Sequence, residues 1–321
     1  MREDSRVDVR QLRYFVAIVE SGSISRASGR LNIAQPSLSL HVRNMEADLG
    51  VPLLFRTAQG VQPTEAGEIL LRNARAIVAQ FEEAEREIRG SGAEPAGEVR
   101  LGLPSSIAQV LGVPLVLAAQ ERLPKVKLRI AEAMSGYVLD WLRLGRVDLG
   151  LLYAFVEDRG LRSIGLLSEA LHLFGPASDP DTAALPPSGS PVPATLLAGL
   201  PLILPSPGHG LRDLLDERAA TEGTRLAAAI EIDAYGAIKS LVEKGLGYSV
   251  LPAHAIRRET EGGAIRAWPF EPAFLRTVHL VEPIDRPLSH AVQAVEKLCR
   301  QTLRDLVRSG EWSGAQMRVS S

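Results

Sequence analysis

The hydrophobic period of this chain changes at one place, the run Gly90-Ser91-Gly92-Ala93-Glu94-Pro95-Ala96-Gly97. Glycine, serine and proline give that run the composition of a flexible linker and a domain boundary. Before it, the long apolar stripes repeat at helical spacing. After it, short apolar runs alternate with helical segments, which is the pattern of a parallel α/β sheet. The chain therefore folds as at least two units, and its 321 residues suffice for about two domains.

The first unit reads as three short helices, a hairpin and one long helix. Asp8 and Gln11 form a capping box for a helix over 8–20, with Val9, Leu12, Val16 and Val19 as its stripe and Phe15 alongside. A second helix over 23–31 buries Ile24, Ala27 and Leu31, and Asn32 takes a left-handed conformation behind it. A third begins at Gln35-Pro36, buries Leu38, Val42, Met45 and Leu49, and stops at Gly50. Leu53–Arg56 and Val61-Gln62 are strand-like, joined by the turn Thr57-Ala58-Gln59-Gly60. Thr64 then caps a helix running to about Arg89. Its apolar residues Leu70, Ala74, Ile77, Phe81, Ala84 and Ile88 are spaced 4, 3, 4, 3 and 4, a heptad seam. The seam is expected to pack on a second chain; the competing reading is that it packs on its own domain.

Charge points to what this unit touches. A net charge of −2 argues against a protein that coats nucleic acid nonspecifically. Locally, however, residues 21–45 and 50–64 hold arginines and no acid. The second and third helices with the intervening Asn32-Ile33-Ala34 form a helix-turn-helix, and the hairpin is its wing. The outward face of the third helix carries Pro36, Ser37, Leu40, Arg43 and Asn44, without acid, as a helix entering a major groove requires. The candidate DNA contacts are Arg26, Arg30, Gln35, Pro36, Ser37, Ser39, Leu40, Arg43 and Arg56, with Arg26, Arg30 and Arg56 assigned to phosphates. The bland alternative is a solvated helical face with three arginines.

Three stretches carry a family resemblance: residues 23–39, from Ser23-Ile24-Ser25-Arg26-Ala27 to Gln35-Pro36-Ser37-Leu38-Ser39; Met45 to Arg56; and Pro63-Thr64-Glu65-Ala66-Gly67. The chain resembles the LysR-type transcriptional regulators over its whole length. The resemblance implies an α/β protein with an N-terminal winged helix-turn-helix, a long linker helix and a two-lobed effector domain similar to periplasmic binding proteins. It also implies dimerisation through Leu70, Ala74, Ile77, Phe81, Ala84 and Ile88, a dimer of dimers on double-stranded promoter DNA, an interrupted inverted repeat, a small-molecule coinducer and contact with RNA polymerase. The expected boundaries are 1–64 for the DNA-binding domain, 65–96 for linker helix and hinge, and 97–308 for the effector domain, followed by a frayed tail, 309–321. Within the effector domain, lobe I is 97–164 and 270–308 and lobe II is 165–269, with crossings near Ile164-Gly165 and Trp268–Phe270. Two positions depart from the family pattern. Ala34 replaces a Ser or Thr helix cap, a loss of about 1 kcal/mol locally. Leu40 replaces a polar residue, and an apolar side chain there suits a thymine methyl.

In such a fold, ligand sits at strand ends and helix N-termini. Ser105, Ser106, Met134, Ser135, Ser206, His209, Asp233 and Tyr235 occupy those handovers, and they favour a ligand with a carboxylate or similar acceptor. Each serine has the alternative role of capping its helix, and His209 that of a surface-loop histidine. Enzyme readings find no support. There is no Gly-x-Ser-x-Gly elbow and no P-loop, and Gly245-Leu246-Gly247 lacks the third glycine of a dinucleotide loop. The six histidines are scattered without metal-ligand spacing, and the single cysteine, Cys299, excludes an intrachain disulfide framework. Neither cofactor nor metal is expected. A charged N-terminus and the lack of a long apolar run give the expectation of a cytoplasmic protein without membrane contact. The remaining rival is a solute-binding module without DNA function, and residues 1–89 argue against it.

Overall fold

A computed structural model describes residues 7–57, 60–88, 94–153, 155–178, 185–285 and 287–318. The N-terminal unit contains α1 (Val9–Ser21), α2 (Ile24–Leu31), α3 (Gln35–Leu49), the hairpin β1 (Leu54–Thr57) and β2 (Gly60–Pro63), and α4 (Glu65–Ile88). Its caps are those the sequence dictates. The Asp8–Gln11 box closes both ways, Ser23 accepts from the Arg26 N–H, and Gly22, Asn32 and Gly50 end their helices in left-handed conformations. Ala34 leaves α3 without a side-chain cap. The Thr64 hydroxyl donates to Pro52 O (2.7 Å) and accepts from Gly67 N–H (3.0 Å), which fixes the start of α4. Gly67 is required there, because a Cβ would lie 2.1 Å from Leu53 O.

Leu12, Phe15, Ile18, Ala27, Leu38, Val42 and Met45 form the core of this unit. The buried stripe of α1 is therefore centred on Leu12, Phe15 and Ile18, and the expected Val9, Val16 and Val19 lie at its edge. Large side chains outweigh valines in setting which face turns inward. Leu49, expected to be buried, is 40% exposed, because the end of α3 projects past the core. Residues 58 and 59 of the wing turn and 89–93 of the expected hinge lie outside the described residues. The end of that hinge, Gly97, belongs to the next strand.

The second unit has the order β3 (Gly97–Leu103), α5 (Ser105–Arg122), β4 (Val126–Glu132), α6 (Ser135–Arg143), β5 (Leu149–Leu152) and β6 (Leu161–Pro176). It continues with β7 (Leu202–Leu204), α7 (Gly210–Thr221), β8 (Ala228–Glu231), α8 (Tyr235–Glu243), β9 (Ser249–Pro252), α9 (Ala253–Glu261), β10 (Ile265–Pro269), β11 (Leu275–Pro283), α10 (His290–Ser309) and β12 (Ala315–Met317). The apolar clusters give two lobes: one with a cluster under α5 and α10 and another under α6, the other with a cluster under α7, α8 and α9. The expected parallel sheet is in fact mixed. β3 pairs in parallel with β4 and β5, and β7 with β8, but β6 pairs antiparallel with β9, β10, β11 and β12.

β6 is the spine that joins the lobes. It pairs with β11 from Leu161 to Ala170 and with β9 and β10 from Leu171 to Pro176. The first crossing therefore lies at Ala170–Leu171 rather than Ile164-Gly165, and residues 165–170 belong to lobe I. The return falls between Pro269, still paired in lobe II, and Leu275. The expected frayed tail is also corrected. Trp312 is 1% exposed, in the lobe I core, and β12 adds a strand beside β6. Burial of one large aromatic side chain holds the segment down.

Candidate DNA-contacting surface and effector cleft

α3 presents Gln35, Pro36, Ser37, Leu40 and Arg43 to solvent, with Leu40 53% exposed. Ser39 is half-buried, and its carbonyl accepts from Arg43 Nε (3.4 Å). Arg26 and Arg56 are exposed beside this face and on the wing. Arg30 is exposed too, but Glu20 of α1 reaches it at 3.3 Å, a pairing that lies just outside the acid-free window. The wing also exposes Phe55, which the sequence reading had counted only as strand.

α4 divides the expected seam. Ala74 is fully buried in the N-terminal core and Leu70 packs against that core. Ile77, Phe81 and Ala84 are exposed, and Ile69 joins them on that face. The Arg13 guanidinium lies 5.9 Å from the Phe81 ring centroid. The Ile88 side chain lies outside the described residues.

Between the lobes is a small cavity lined by Ser105, Met134, Ser135, His209, Asp233 and Tyr235, six of the eight expected residues. Ser206 lies at its mouth, in an adjoining open space. Ser106 is 1% exposed and stands behind the wall. α5, α6, α7 and α8 all begin at this cavity. His209 caps α7, its Nδ1 accepting from Leu211 N–H (3.2 Å), so the proton of the neutral ring sits on Nε2. Burial lowers the His209 pKa and holds the ring neutral. Pro104, Met134 and Ala234 provide no side-chain cap for α5, α6 and α8. The Asp233 carboxylate accepts from Ser206 N–H (2.9 Å), which ties two rim loops together.

The cavity floor is a network that the sequence reading missed. Arg276 of β11 donates from Nε to Glu169 of β6 (2.6 Å) and from a terminal nitrogen to the Ser106 hydroxyl (3.2 Å). Its guanidinium lies 3.5 Å from the Tyr153 ring centroid. Burial alone would lower the Arg276 pKa, but the group is held charged, with the Glu169 carboxylate against it. Burial would likewise raise Glu169, and the charges of Arg276 and His254 bring it below the usual carboxylate value. The other Glu169 oxygen accepts from the Trp312 indole (2.8 Å). Ser106 Oγ and Tyr153 Oη are 2.6 Å apart, and the His254 ring contacts Ser106 O at 3.1 Å. Burial pushes the Tyr153 and Tyr235 phenols up, so both are neutral hydroxyls at ordinary pH.

An N-terminal helix-turn-helix with a wing, a long helix and a two-lobed cleft define a ligand-responsive DNA-binding protein. Residues 9–68 match the family described as bacterial regulatory helix-turn-helix protein, lysR family, and residues 92–304 match the LysR substrate binding domain. The chain belongs to the LysR family of transcriptional regulators. It is 32% identical to the nitrogen assimilation regulatory protein nac of Escherichia coli over 298 residues, 91% of this chain and 94% of that one. It is 33% identical to a probable hydrogen peroxide-inducible genes activator of Mycobacterium leprae over 254 residues, 76% and 77% of the two chains. The fold is similar to that of a full-length OxyR variant from Pseudomonas aeruginosa, with a TM-score of 0.77 and 24% identity over 94% and 96% of the chains.

Proposed function

We propose that this regulator reads an interrupted inverted repeat through α3 and the wing, assembles as a dimer of dimers through the exposed part of α4, and is switched by a small anion in the cleft. In this reading it works in the cytoplasm, and the switch acts on the DNA bend or on contact with RNA polymerase. The observation that carries the anion is the meeting of α5, α6 and α8 at one cavity with no side-chain cap on any of them. The N–H groups of an uncapped first turn are unpaired and sit at the positive end of the helix dipole. Several such ends aimed at one space favour a carboxylate. Arg276 does not add a free charge, because Glu169 neutralises it. Ser105, Tyr153 and Tyr235 supply neutral hydroxyls at the wall.

The test is a thermal-shift panel of small mono- and dicarboxylates, each beside its neutral amide. A ligand at about 100 times its Kd stabilises by about 2.7 kcal/mol. An acid that raises Tm while its amide does not supports the reading; stabilisation by neutral compounds alone removes it.

A switch that works by forming an intrachain disulfide does not fit this chain. Cys299 is its single cysteine, fully buried, and burial pushes its pKa up to about 12.

A further inference from the structure

The two ends of α6 have different neighbours. Its N-terminal end, Met134-Ser135-Gly136, lines the cleft and its mouth. Its C-terminal end docks on the linker helix. Arg72 of α4 donates to Arg143 O (3.1 Å), and Arg75 donates to Gly145 O (2.9 Å). Arg146 pairs with Glu68 of α4 at 2.7 Å. Gly145 has φ +63° and approaches so closely that a Cβ would lie 3.0 Å from the Arg72 side chain. From Arg75 the contacts continue into the DNA-binding domain: its second terminal nitrogen pairs with Glu20 (3.2 Å), and Glu20 also holds Arg30, a candidate phosphate contact (3.3 Å).

We propose that α6 is the coupling element between the effector cleft and the DNA-binding domain, and that Arg72 and Arg75 are the residues that receive its movement. The proposal rests on the reading of the cleft as the effector site. The physical reason is the helix dipole. The carbonyls of Asp140, Trp141 and Leu142 accept from backbone N–H groups of residues 144–147, and Arg72 donates to Arg143 O, the last carbonyl of α6, while Arg75 holds Gly145 O two residues past its negative end. An anion in the cleft meets the positive end of the same helix. The nine residues span about 13 Å at 1.5 Å each. Val138 and Leu142, both fully buried, hold one face of the helix and make it move as a body. A pull on Ser135 therefore changes the strain on Arg143 O and Gly145 O. Through Arg75 and Glu20 it changes how freely Arg30 turns to a phosphate. A shift of this kind requires that the ligand bind the two arrangements unequally.

The test needs no identified ligand. The probe is the DNA fragment that the wild-type protein selects from a random pool, and the assay is its equilibrium binding. Ser135→Asp puts a carboxylate in the first turn of α6 as a stand-in for the bound anion. It is made in the wild-type background and in Arg72→Ala/Arg75→Ala. Coupled sites commonly differ by fivefold or more, whereas independent sites add to within about twofold. The expected result is a change in DNA affinity of at least fivefold in the first background and less than twofold in the second. Equal changes in both backgrounds, or none in the first, overturn the proposal. Circular dichroism checks that the variants are folded, and Arg72→Ala alone replaces the double variant should that one unfold. If the carboxylate panel finds no ligand but the cycle shows coupling, the anion reading falls and the α6 route stands.

Discussion

Arg276 and Glu169 make the strongest electrostatic commitment in the effector domain, since both side chains are essentially without solvent contact. Removing one partner of such a pair leaves an uncompensated buried charge, at a cost of about 3–5 kcal/mol. Arg276→Met is therefore expected to lower stability by that amount in urea denaturation, and Arg276→Met/Glu169→Gln to recover a large part of it. A loss below about 1 kcal/mol in the single variant would mean that water reaches Glu169. The neighbouring serines separate on the same logic. Ser106 is hydrogen-bonded to Tyr153 and Arg276 behind the wall, so Ser106→Ala should cost about 1–3 kcal/mol of stability. Ser105 lines the cavity, so Ser105→Ala should leave Tm unchanged and weaken effector binding by up to roughly tenfold, about 0.5–1.5 kcal/mol. Calorimetry with an acid found in the panel, run beside thermal melts, checks both halves. The rim residues were legible in the sequence because each stands where a strand hands over to a helix. Arg276, Glu169 and Tyr153 were not: Arg276 and Glu169 come from strands distant in the chain and meet through the β6–β11 register, in which they stand opposite each other, and Tyr153 reaches them from just past the end of β5. The one local signal was a charged residue inside each of the runs Leu167–Leu171 and Leu275–Leu280.

Among the elements, α4 and β12 show how far periodicity reaches. The heptad spacing of α4 is real, but a helix with two apolar neighbours has a single stripe in sequence. Spacing alone did not reveal that Ala74 is buried in the N-terminal core while Ile77 and Phe81, further along the same helix, are exposed. Phe81 is the apolar residue at the middle of the outward part, and Phe81→Asp sets charges against each other in a self-complementary contact. It is expected to reduce the assembly to a smaller species in light scattering with helix content unchanged. An unchanged mass would move the contact away from this face. At the C-terminus the sequence pattern reads as a loose end, because three residues of strand are too few for an alternation. Trp312 was the visible clue. Its ring fills the lobe I core, stacks edge-on against His254 at 5.2 Å between centroids, and donates to Glu169. Trp312→Ala should therefore cost about 3–5 kcal/mol, the usual range for a buried aromatic. Because the indole also satisfies Glu169, Trp312→Phe should restore only part of the loss. Full recovery with phenylalanine would mean that the hydrogen bond to Glu169 contributes nothing.

For the whole molecule, the histidines set the response to acid. His172, His209, His254 and His279 all have pKa values lowered, in each case chiefly by burial. In the unfolded chain they titrate near about 6.5. Between the lowered folded values and about 6.5 the unfolded state binds more protons than the folded one, so stability is lost as pH falls through that window and the histidines change it no further below their folded values. Glu169 acts lower on the scale. Its pKa is below the usual carboxylate value, so its contribution is complete above about 4.3 and is lost only as pH falls further. The first acid loss should therefore begin near pH 6.5, well above any carboxylate titration. His254 makes the informative variant because it faces groups from several elements: Glu169 of β6, Arg276 of β11, Ser106 of α5 and Trp312 after α10. Glu169 pulls its pKa up, while burial and Arg276 pull it down, and the downward pull dominates. His254→Gln keeps a polar group of similar reach and removes the titration. Urea midpoints of wild type and variant should run parallel above pH 7 and converge toward pH 5, as the wild type loses the part the variant never had. Parallel curves over the whole range would show that His254 takes up its proton equally in the folded and unfolded states. The acid response would then belong to the other three histidines.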